Sequence, residues 1–278
     1  MAFDELYDEF ERREAKALAM GGPERLERRR NAGLLNARER IDFLVDSGSW
    51  VESGLFATSH IASDRESTPG DGKITGYGAI DGREAVIVSN DFTVKGASSS
   101  VVNMRRIGQM RRTASERGIP MVFLGESSGA RIPDNMGAYN MGTILGGDAT
   151  QYRRLREQPW ASAVLGMAYG SATWYGCLSD FNVMRKGAVM AVSSERLVSM
   201  AIGEKVDGQE LGGWRMHTDT TGLVDLAVDT DEEALDAIKT FLSYLPENQN
   251  QLPPEKPVPA GSDDTARTVL EVLPEKRT

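Results

Sequence analysis

The chain opens with helical periodicity among many charges. Across residues 1–45, apolar positions recur at the spacing of one helix face between numerous Arg and Glu residues, which predicts charged helices with solvated faces. The first apolar stripe consists of Phe3, Leu6, Tyr7 and Phe10. The sequence Gly-Gly-Pro at 21–23 ends the first helix, and a second helical run is predicted from Glu24 to about Val45.

From residue 70 the pattern changes to short β-branched runs between turn glycines. The segment GDGKITGYGAIDGREAVIVSNDFTV predicts a meander of strands. The elements predicted after it are a helix over 101–117, a strand over 119–124, a loop and a helix, an apolar run over 163–168, a helix that opens at Gly170, a strand over 188–192 and a helix over 232–244. Strands that alternate with helices indicate an α/β fold.

The end of the chain has a different composition. Residues 246–267, PENQNQLPPEKPVPAGSDDTAR, are rich in proline and polar side chains and have little to bury, so they read as a linker. We therefore expect three segments: a helical segment over 1–45, an α/β domain over 46–246, and a polar, Pro-rich tail over 247–278.

Composition and charge exclude several classes of function. The 278 residues carry a formal net charge of −9, which argues against a partner that is nucleic acid. The single cysteine, Cys177, cannot form an internal disulfide or a thiolate zinc site, and we expect no metal. The acidic N-terminus lacks a signal-peptide core, and no apolar run reaches the ~20 residues that span a bilayer. These features predict a cytoplasmic protein without a membrane span.

The segment FLGESSGARIPD, residues 123–134, permits two interpretations. It contains G-x-S-x-G, the nucleophile elbow of serine hydrolases, and Asp180 and His217 follow Ser127 in the order of that class. However, Pro133 and Gly137 disfavour the helix that must follow an elbow. Small residues at this place also suit a loop whose backbone approaches a ligand closely, and this is the interpretation we prefer.

Five segments occur in an order and spacing that point to one family. They are NAGLLNARERIDFLVDSGSWVE, GDGKITGYGAIDGREAVIVSNDFTV, ESSGARIPD, GMAYGSATWYGCLSDF and GQELGGWRMHTDTTGLVD. Together, from about residue 10 to 246, they resemble the N-terminal half of the carboxyltransferase β subunits of biotin-dependent acyl-CoA carboxylases, such as propionyl-CoA and methylcrotonoyl-CoA carboxylase. The resemblance implies a crotonase-like fold, in which ββα units stack into a superhelix. It also implies an active site shared with a second domain of similar fold.

The resemblance implies transfer of a carboxyl group from carboxybiotin to the α carbon of an acyl-CoA. The reaction passes through a thioester enolate, which backbone N–H groups at a helix start can stabilise. Biotin can itself accept the proton, so a chain with two histidines suits this chemistry. The cofactor would be biotin on a partner protein, with acyl-CoA as substrate. The implied partners are a C-terminal-type carboxyltransferase subunit, a biotin carboxyl carrier protein and a biotin carboxylase, in a homo- or hetero-oligomer.

The same resemblance implies site residues. The amides of Gly170 and Ser171 would form the oxyanion hole; the family has Gly-Gly here, so Ser171 adds a side chain beside the acyl group. The implied CoA-binding residues are Lys95, Gly96, Ala97, Ser128, Gly129, Ala130, Arg131, Ala168 and Tyr169. Arg131 either pairs with a phosphate or braces its loop. His217 is expected to be structural or to lie at an interface.

Some features leave alternatives open. Four arginines of the predicted helix over 101–117 either attract CoA phosphates or form a solvated face: Arg105, Arg106, Arg111 and Arg112. The segment KGASSSVVN replaces the family's F-G-G-S-x-G-E-x-H, and the lost glycines leave the substrate open. The alternatives are an acyl-CoA decarboxylase subunit, a non-catalytic scaffold, or an independent enoyl-CoA hydratase or isomerase, for which Glu126 is the one obvious acid.

Overall fold

An eight-stranded sheet forms the centre of the molecule, which a computed structural model describes over residues 3–136 and 157–273. The strands are β1 (Val51–Glu52), β2 (Lys73–Ile80), β3 (Arg83–Asn90), β4 (Met121–Ser127), β5 (Trp160–Tyr169), β6 (Phe181–Arg185), β7 (Val189–Ala191) and β8 (Leu226–Val228). The helices are α1 (Asp4–Leu18), α2 (Pro23–Asn31), α3 (Ala37–Leu44), α4 (Val101–Arg117), α5 (Ile132–Asn135), α6 (Ser171–Leu178), α7 (Glu195–Ile202), α8 (Gly208–Gly212), α9 (Asp231–Ser243) and α10 (Ser262–Arg267).

The strand order places three loops side by side. The sheet runs β1-β2-β3-β4-β5-β6-β8, with β7 paired to β5. Strands β1 to β3 pair antiparallel, whereas β3, β4, β5 and β6 pair parallel. Since parallel neighbours end at the same edge of a sheet, the loops that follow β3, β4 and β5 lie together there.

Helices bury apolar side chains on both faces of the sheet. On one face, Ile41 and Leu44 of α3 and Leu235 and Ile238 of α9 share a core with the strands. On the other, Ile107 of α4 and other buried side chains form a second core, among them Met110, Phe123, Val164, Tyr175 and Met190. The two-sided burial is what a mainly parallel sheet requires.

A buried ion-pair network joins distant parts of the chain under the first face. Arg40 of α3 is fully buried; its Nε lies 2.9 Å from Asp231 Oδ2 at the start of α9, and its NH1 lies 2.6 Å from Glu126 Oε2 at the end of β4. Arg29 of α2 contacts the same carboxylate, at 3.0 Å. Removal of one partner from such a network costs about 3–5 kcal/mol, because the others remain buried without it.

The predicted elements agree with the structure in type. The α/β fold and the charged helical N-terminus are confirmed, and the helix predicted over 101–117 is α4. The single run predicted from Glu24 to Val45 is wrong, because Gly33 turns at positive φ and Asn36 caps a separate helix by accepting from the amides of Arg38 and Glu39. The helix predicted after the 123–134 loop lies partly outside the described residues.

The segments at the two ends are largely exposed. The apolar stripe of α1 faces outward, with 68% of Phe3 and 59% of Leu6 accessible, although Phe10 stacks edge-on against Phe56. In the tail, α10 buries no residue. The segment boundaries at 45 and 246 stay a prediction.

Candidate active site

Three loops meet where β3, β4 and β5 end. After β3, Ser99 pairs with Ala130 of the loop after β4 as an isolated parallel bridge. The Ser99 N–H donates to the Gly129 carbonyl, and the Arg131 N–H donates to the Ser99 carbonyl, both at 2.8 Å. The Ser128 N–H also donates to the Gly96 carbonyl, at 2.8 Å. These bonds lock the first two loops together.

The third loop leads from β5 into α6 and approaches the second at two glycines. Gly170, the residue before α6, has φ +65° and ψ −120°, and Gly129 has φ +102°, both backbone conformations that favour glycine. A Cβ on Gly170 would stand 3.9 Å from Gly129 Cα. Ala130 and Ser171, which directly follow these glycines, therefore lie on facing loops.

The amides at this junction are not equally available. The Gly170 N–H donates to the Ala191 carbonyl at 3.2 Å, so the expected pair of open amides at Gly170 and Ser171 does not occur in this structure. The Ser171 N–H belongs to the first turn of α6, where no carbonyl within the helix can accept from it. Within residues 3–136 and 157–273, neither Ser171 N–H nor Ala130 N–H has an acceptor. Because the bridge to Ser99 uses the neighbours of Ala130, the Ala130 N–H points away from it.

Ala168 and Tyr169 are held inside the protein. Ala168 is fully buried in β5, and its carbonyl accepts a 2.7 Å hydrogen bond from the Thr173 hydroxyl. The Tyr169 side chain is 5% exposed, and its O–H donates to the Glu195 carboxylate of α7. Burial raises the pKa of the Tyr169 phenol, and Glu195 raises it further. Both residues shape the loop that precedes α6.

Arg131 braces its loop. Its side chain is 6% exposed and forms an ion pair with the fully buried Asp71, and its Nε donates to the Ser98 hydroxyl at 3.1 Å. These partners occupy the guanidinium. Of the two roles expected for Arg131, phosphate pairing and bracing, the geometry supports bracing.

A buried lysine donates a hydrogen bond to the loop after β3. Lys73 in β2 is 1% exposed, and its Nζ donates to the Ala97 carbonyl at 2.7 Å. Burial lowers the pKa of the Lys73 ammonium to about 7, and the nearby positive charge of Arg131 adds to this effect, while Asp71 opposes it. The lysine therefore titrates near neutral pH beneath the candidate site.

The turn over Lys95–Ala97 is strained. Lys95, Gly96 and Ala97 all have positive φ, at 48°, 60° and 48°, and only one of the three is glycine. Lys95 is exposed and Ala97 is buried. A Cβ on Gly96 would stand 2.8 Å from the Ser128 hydroxyl, so this position needs glycine both for its φ and for the close approach of the two loops.

The α4 arginines divide into two groups. Arg106 is buried and donates to the carbonyls of Gly70, Lys73 and Ser53, so it has a structural role in place of the two alternatives given for it, attraction of CoA phosphates and a solvated face. Arg111 is buried as well. Arg105 and Arg112 are exposed on the same helix.

The residues of the hydrolase interpretation do not contact one another. The Ser127 hydroxyl accepts from the Gly129 N–H at 3.1 Å. His217 is buried, with Nε2 2.7 Å from the Met190 carbonyl and Nδ1 3.0 Å from the Thr221 hydroxyl. The Asp180 carboxylate accepts from the Trp160 N–H at 2.9 Å. His217 thus has a structural role, one of the two alternatives expected for it, and among the described residues neither His217 nor Asp180 contacts Ser127.

Glu126 is equally unsuited to the acid–base role that a hydratase needs. Its carboxylate is buried between Arg29 and Arg40. Burial alone would raise the pKa of the Glu126 carboxyl, but the two guanidinium groups outweigh this and the pKa lies below its ordinary value. The carboxylate is therefore ionised and ion-paired at neutral pH.

Sequence reasoning missed three residues that build the site: Ser99, Asp71 and Lys73. Ser99 joins two loops by its backbone and reaches the third by its side chain, since its Oγ lies 2.7 Å from Ser171 Oγ. Asp71 holds Arg131 and also accepts from the Ser100 hydroxyl. The one available signal was the position of Asp71 in the turn directly before β2 and of Lys73 at the first residue of that strand.

Solved structures and curated sequences resemble this chain. The transcarboxylase 12S hexamer, determined with methylmalonyl-CoA bound, superimposes with a TM-score of 0.83 at 28% identity, over 91% of this chain and 50% of that one. The propionyl-CoA carboxylase carboxyltransferase subunit of Haloferax mediterranei is 34% identical over 99% of this chain and 54% of its own length. The methylmalonyl-CoA decarboxylase α subunit of Propionigenium modestum is 30% identical over 89% of this chain and 48% of its own length.

The chain spans about half the length of the curated relatives it matches. Among the described residues, no helix is long and apolar enough to cross a membrane. Residues 28–278 match the model of the family described as the carboxyl transferase domain. The fold is that of its crotonase-like members. The chain belongs to the carboxyl transferase family.

Proposed function

We propose that the chain is the N-terminal-type half of an acyl-CoA carboxyltransferase and that the N–H groups of Ala130 and Ser171 hold the thioester enolate. The observation that carries this proposal is the pair of open amides on facing loops, next to Gly129 and Gly170. Such preorganised donors stabilise charge that develops on a carbonyl oxygen, and each contributes about 10²–10³ in rate. The Gly170 N–H would hold its loop in place by its hydrogen bond to the Ala191 carbonyl and would not bind the enolate oxygen.

The remaining parts of the site would bind the CoA portion of the substrate. The loops over 95–97 and 128–130 present small residues and backbone, so a ligand can approach closely. Lys95, Arg105 and Arg112 are exposed cations in the loop and in α4, the helix that follows it, and they suit phosphate groups. Carboxybiotin, carried on a partner protein, would supply the carboxyl group and the proton acceptor. Near Ala130 in the sequence, Glu126 and Arg131 are both ion-paired.

The exposed face of α7 supports completion of the site by a second carboxyltransferase domain. No residue of α7 is buried, and four apolar side chains on and beside it are 57–72% exposed: Val192, Leu197, Met200 and Ile202. Tyr169 connects this helix to the loop that precedes α6. An apolar face so close to the open amides fits a C-terminal-type domain. The biotin carrier and biotin carboxylase would join the same assembly.

The proposal is tested on the assembly purified from its host with the tagged chain. We expect mass spectrometry to identify a second crotonase-like domain and a biotinylated carrier. Purified assembly should transfer labelled carboxyl groups to a short acyl-CoA, and avidin should block the transfer. Absence of both partners and of transfer would overturn the proposal.

Ser171→Pro, compared with Ser171→Ala, tests the open amide, because both changes remove the hydroxyl and only proline removes the N–H. Proline removes the N–H but is tolerated in the first turn of a helix, so the fold should persist. We expect transfer to fall at least 100-fold. The matched control is Ser262→Pro, the same change at the first residue of the exposed helix α10, which should transfer at the wild-type rate. Near-normal turnover of folded Ser171→Pro would refute the assignment.

Decarboxylation is the second candidate, because the methylmalonyl-CoA decarboxylase α subunit of Propionigenium modestum is among the relatives. The same amides would stabilise the enolate formed when an α-carboxyl group leaves. Incubation of the assembly with methylmalonyl-CoA separates the two directions. Release of CO₂ without any detectable carboxylation of propionyl-CoA would favour the decarboxylase.

A further inference from the structure

The two serines at the junction of the loops form a direct hydroxyl–hydroxyl contact. Ser99 Oγ and Ser171 Oγ are 2.7 Å apart. Ser99 is 3% exposed and is fixed at both backbone polar atoms by the bridge to the neighbouring loop. Ser171 is half-buried and carries one of the two open amides. Ser99 is therefore the rigid partner, and it orients the Ser171 hydroxyl.

A serine hydroxyl has one proton to donate and two lone pairs that accept. When the Ser99 hydroxyl donates to Ser171 Oγ, the Ser171 proton is available for a third group. Oγ and the amide nitrogen belong to the same residue, so a single oxygen atom can accept from both the Ser171 N–H and the Ser171 O–H. The chain from Ser99 through Ser171 strengthens the last bond, because each hydrogen bond polarises the next.

We propose that the Ser171 side chain is a third donor to the enolate oxygen, with Ser99 as its positioning residue. The inference rests on the proposed function and deepens it. No covalent bond to serine forms or breaks: the enolate oxygen accepts from two N–H groups and one O–H, and the proton stays on Oγ.

The experiment measures carboxyl transfer by the purified assembly with Ser171→Ala, Ser171→Thr and Ser99→Ala. Alanine keeps the amide and removes the hydroxyl, so we expect kcat to fall about 100-fold while KM for the acyl-CoA changes little. Threonine keeps a hydroxyl and should restore at least a tenth of wild-type kcat. Ser99→Ala should lower kcat less than Ser171→Ala does. The double variant should match Ser171→Ala, because Ser99 acts through Ser171.

Each other outcome overturns the inference. Wild-type kcat in Ser171→Ala would show that the hydroxyl does not act in the reaction. A raised KM with a lower melting temperature would show a structural role. A loss restricted to acyl-CoA esters with a polar acyl substituent would show that the hydroxyl binds the acyl group instead. Ser262→Ala, in the exposed helix α10, is the matched control. A wild-type assembly without transfer would overturn the proposed function itself, and this result is distinct from the others.

Discussion

The Glu126 carboxylate lies directly over Gly166: a Cβ on Gly166 would stand 2.2 Å from Glu126 Oε1. Glu126 cannot move aside easily, because Arg29 and Arg40 hold its carboxylate. Gly166 therefore provides the space in which Glu126, at the end of β4, contacts the two arginines. The ion pairs of Glu126 therefore require glycine at position 166.

Gly166→Ala should destabilise the fold by about 1–3 kcal/mol, because the added methyl group displaces Glu126 or strains β5. The free energy of unfolding from urea denaturation measures the effect. Gly108→Ala in α4 is the matched control: its nearest neighbour is Arg112 NH1 at 3.8 Å, so the methyl group fits and alanine should stabilise the helix by about 0.5–1 kcal/mol. Equal effects at the two glycines would contradict the account of Gly166.

Acid should weaken the network through Glu126. Its pKa lies below the ordinary value in the folded protein, so the ion pairs stabilise the fold above the ordinary pKa near 4.5 and this stabilisation is lost as the pH falls through the folded pKa. Glu126→Gln should cost about 3–5 kcal/mol at pH 7. The free energies of unfolding of variant and wild type should converge as the pH falls from the ordinary pKa through the lower pKa of the folded protein. The free energy of unfolding of Glu116→Gln, a change at an exposed carboxylate, should equal that of the wild type at every pH. A difference between Glu126→Gln and the wild type that stays constant with pH would contradict the stabilising role of the Glu126 ion pairs.

Lys73 should make the stability of the fold depend on pH above neutrality, whereas Glu126 does so in acid. Its pKa is about 7 in the folded protein and 10.5 ordinarily, so between these values the unfolded chain binds a proton that the folded protein does not. Stability from this group therefore rises with pH above 7. Wild type should gain stability relative to Lys73→Met between pH 7 and 9, as urea denaturation would show. Lys239→Met, which also removes a lysine bonded to a carbonyl, that of Phe43, should show no such trend.

The strained turn after β3 offers a stabilising change. Lys95 is exposed and has φ +48°, so Lys95→Gly relieves a backbone conformation that costs a side-chain-bearing residue about 1–2 kcal/mol. We expect a higher melting temperature. Lys205→Gly is the control, because Lys205 is exposed without positive φ, and glycine there should be neutral or destabilising. A lower melting temperature for Lys95→Gly would show that the lysine side chain stabilises the turn more than its φ strains it.

The sequence predicted those elements whose ends carry local signals. Helix α4 begins after Ser100, which caps it together with Asn103, and Gly118 at φ +64° follows its last residue, so both bounds were predictable. The break between α2 and α3 was missed, although Asn36 and Glu39 form the same kind of cap, because apolar periodicity continues across it. At this place the apolar periodicity predicted one continuous helix, and the capping residues that mark the break were not recognised.

The site could be located but not resolved from the sequence. The loops after β3, β4 and β5 are visible as small residues after apolar runs. Which amides remain open depends on Ala191, whose carbonyl takes the Gly170 N–H, and this contact comes from a later strand. The burial of Arg106 and Arg131 likewise depends on carbonyls and carboxylates from distant turns. Such pairings have no signature in spacing.

The ion pair between Arg40 and Asp231 cannot form during synthesis until Asp231 has been added to the chain. The two residues are 191 positions apart, and at roughly 5–20 residues per second a ribosome needs about 10–40 s to add the second after the first. Until then, α3 exposes a cation and an apolar face that belong to a core shared with α9. The first face of the sheet closes only when nearly the whole α/β region has left the ribosome. The nascent chain therefore exposes this apolar face for as long as the ribosome takes to add the residues between Arg40 and Asp231.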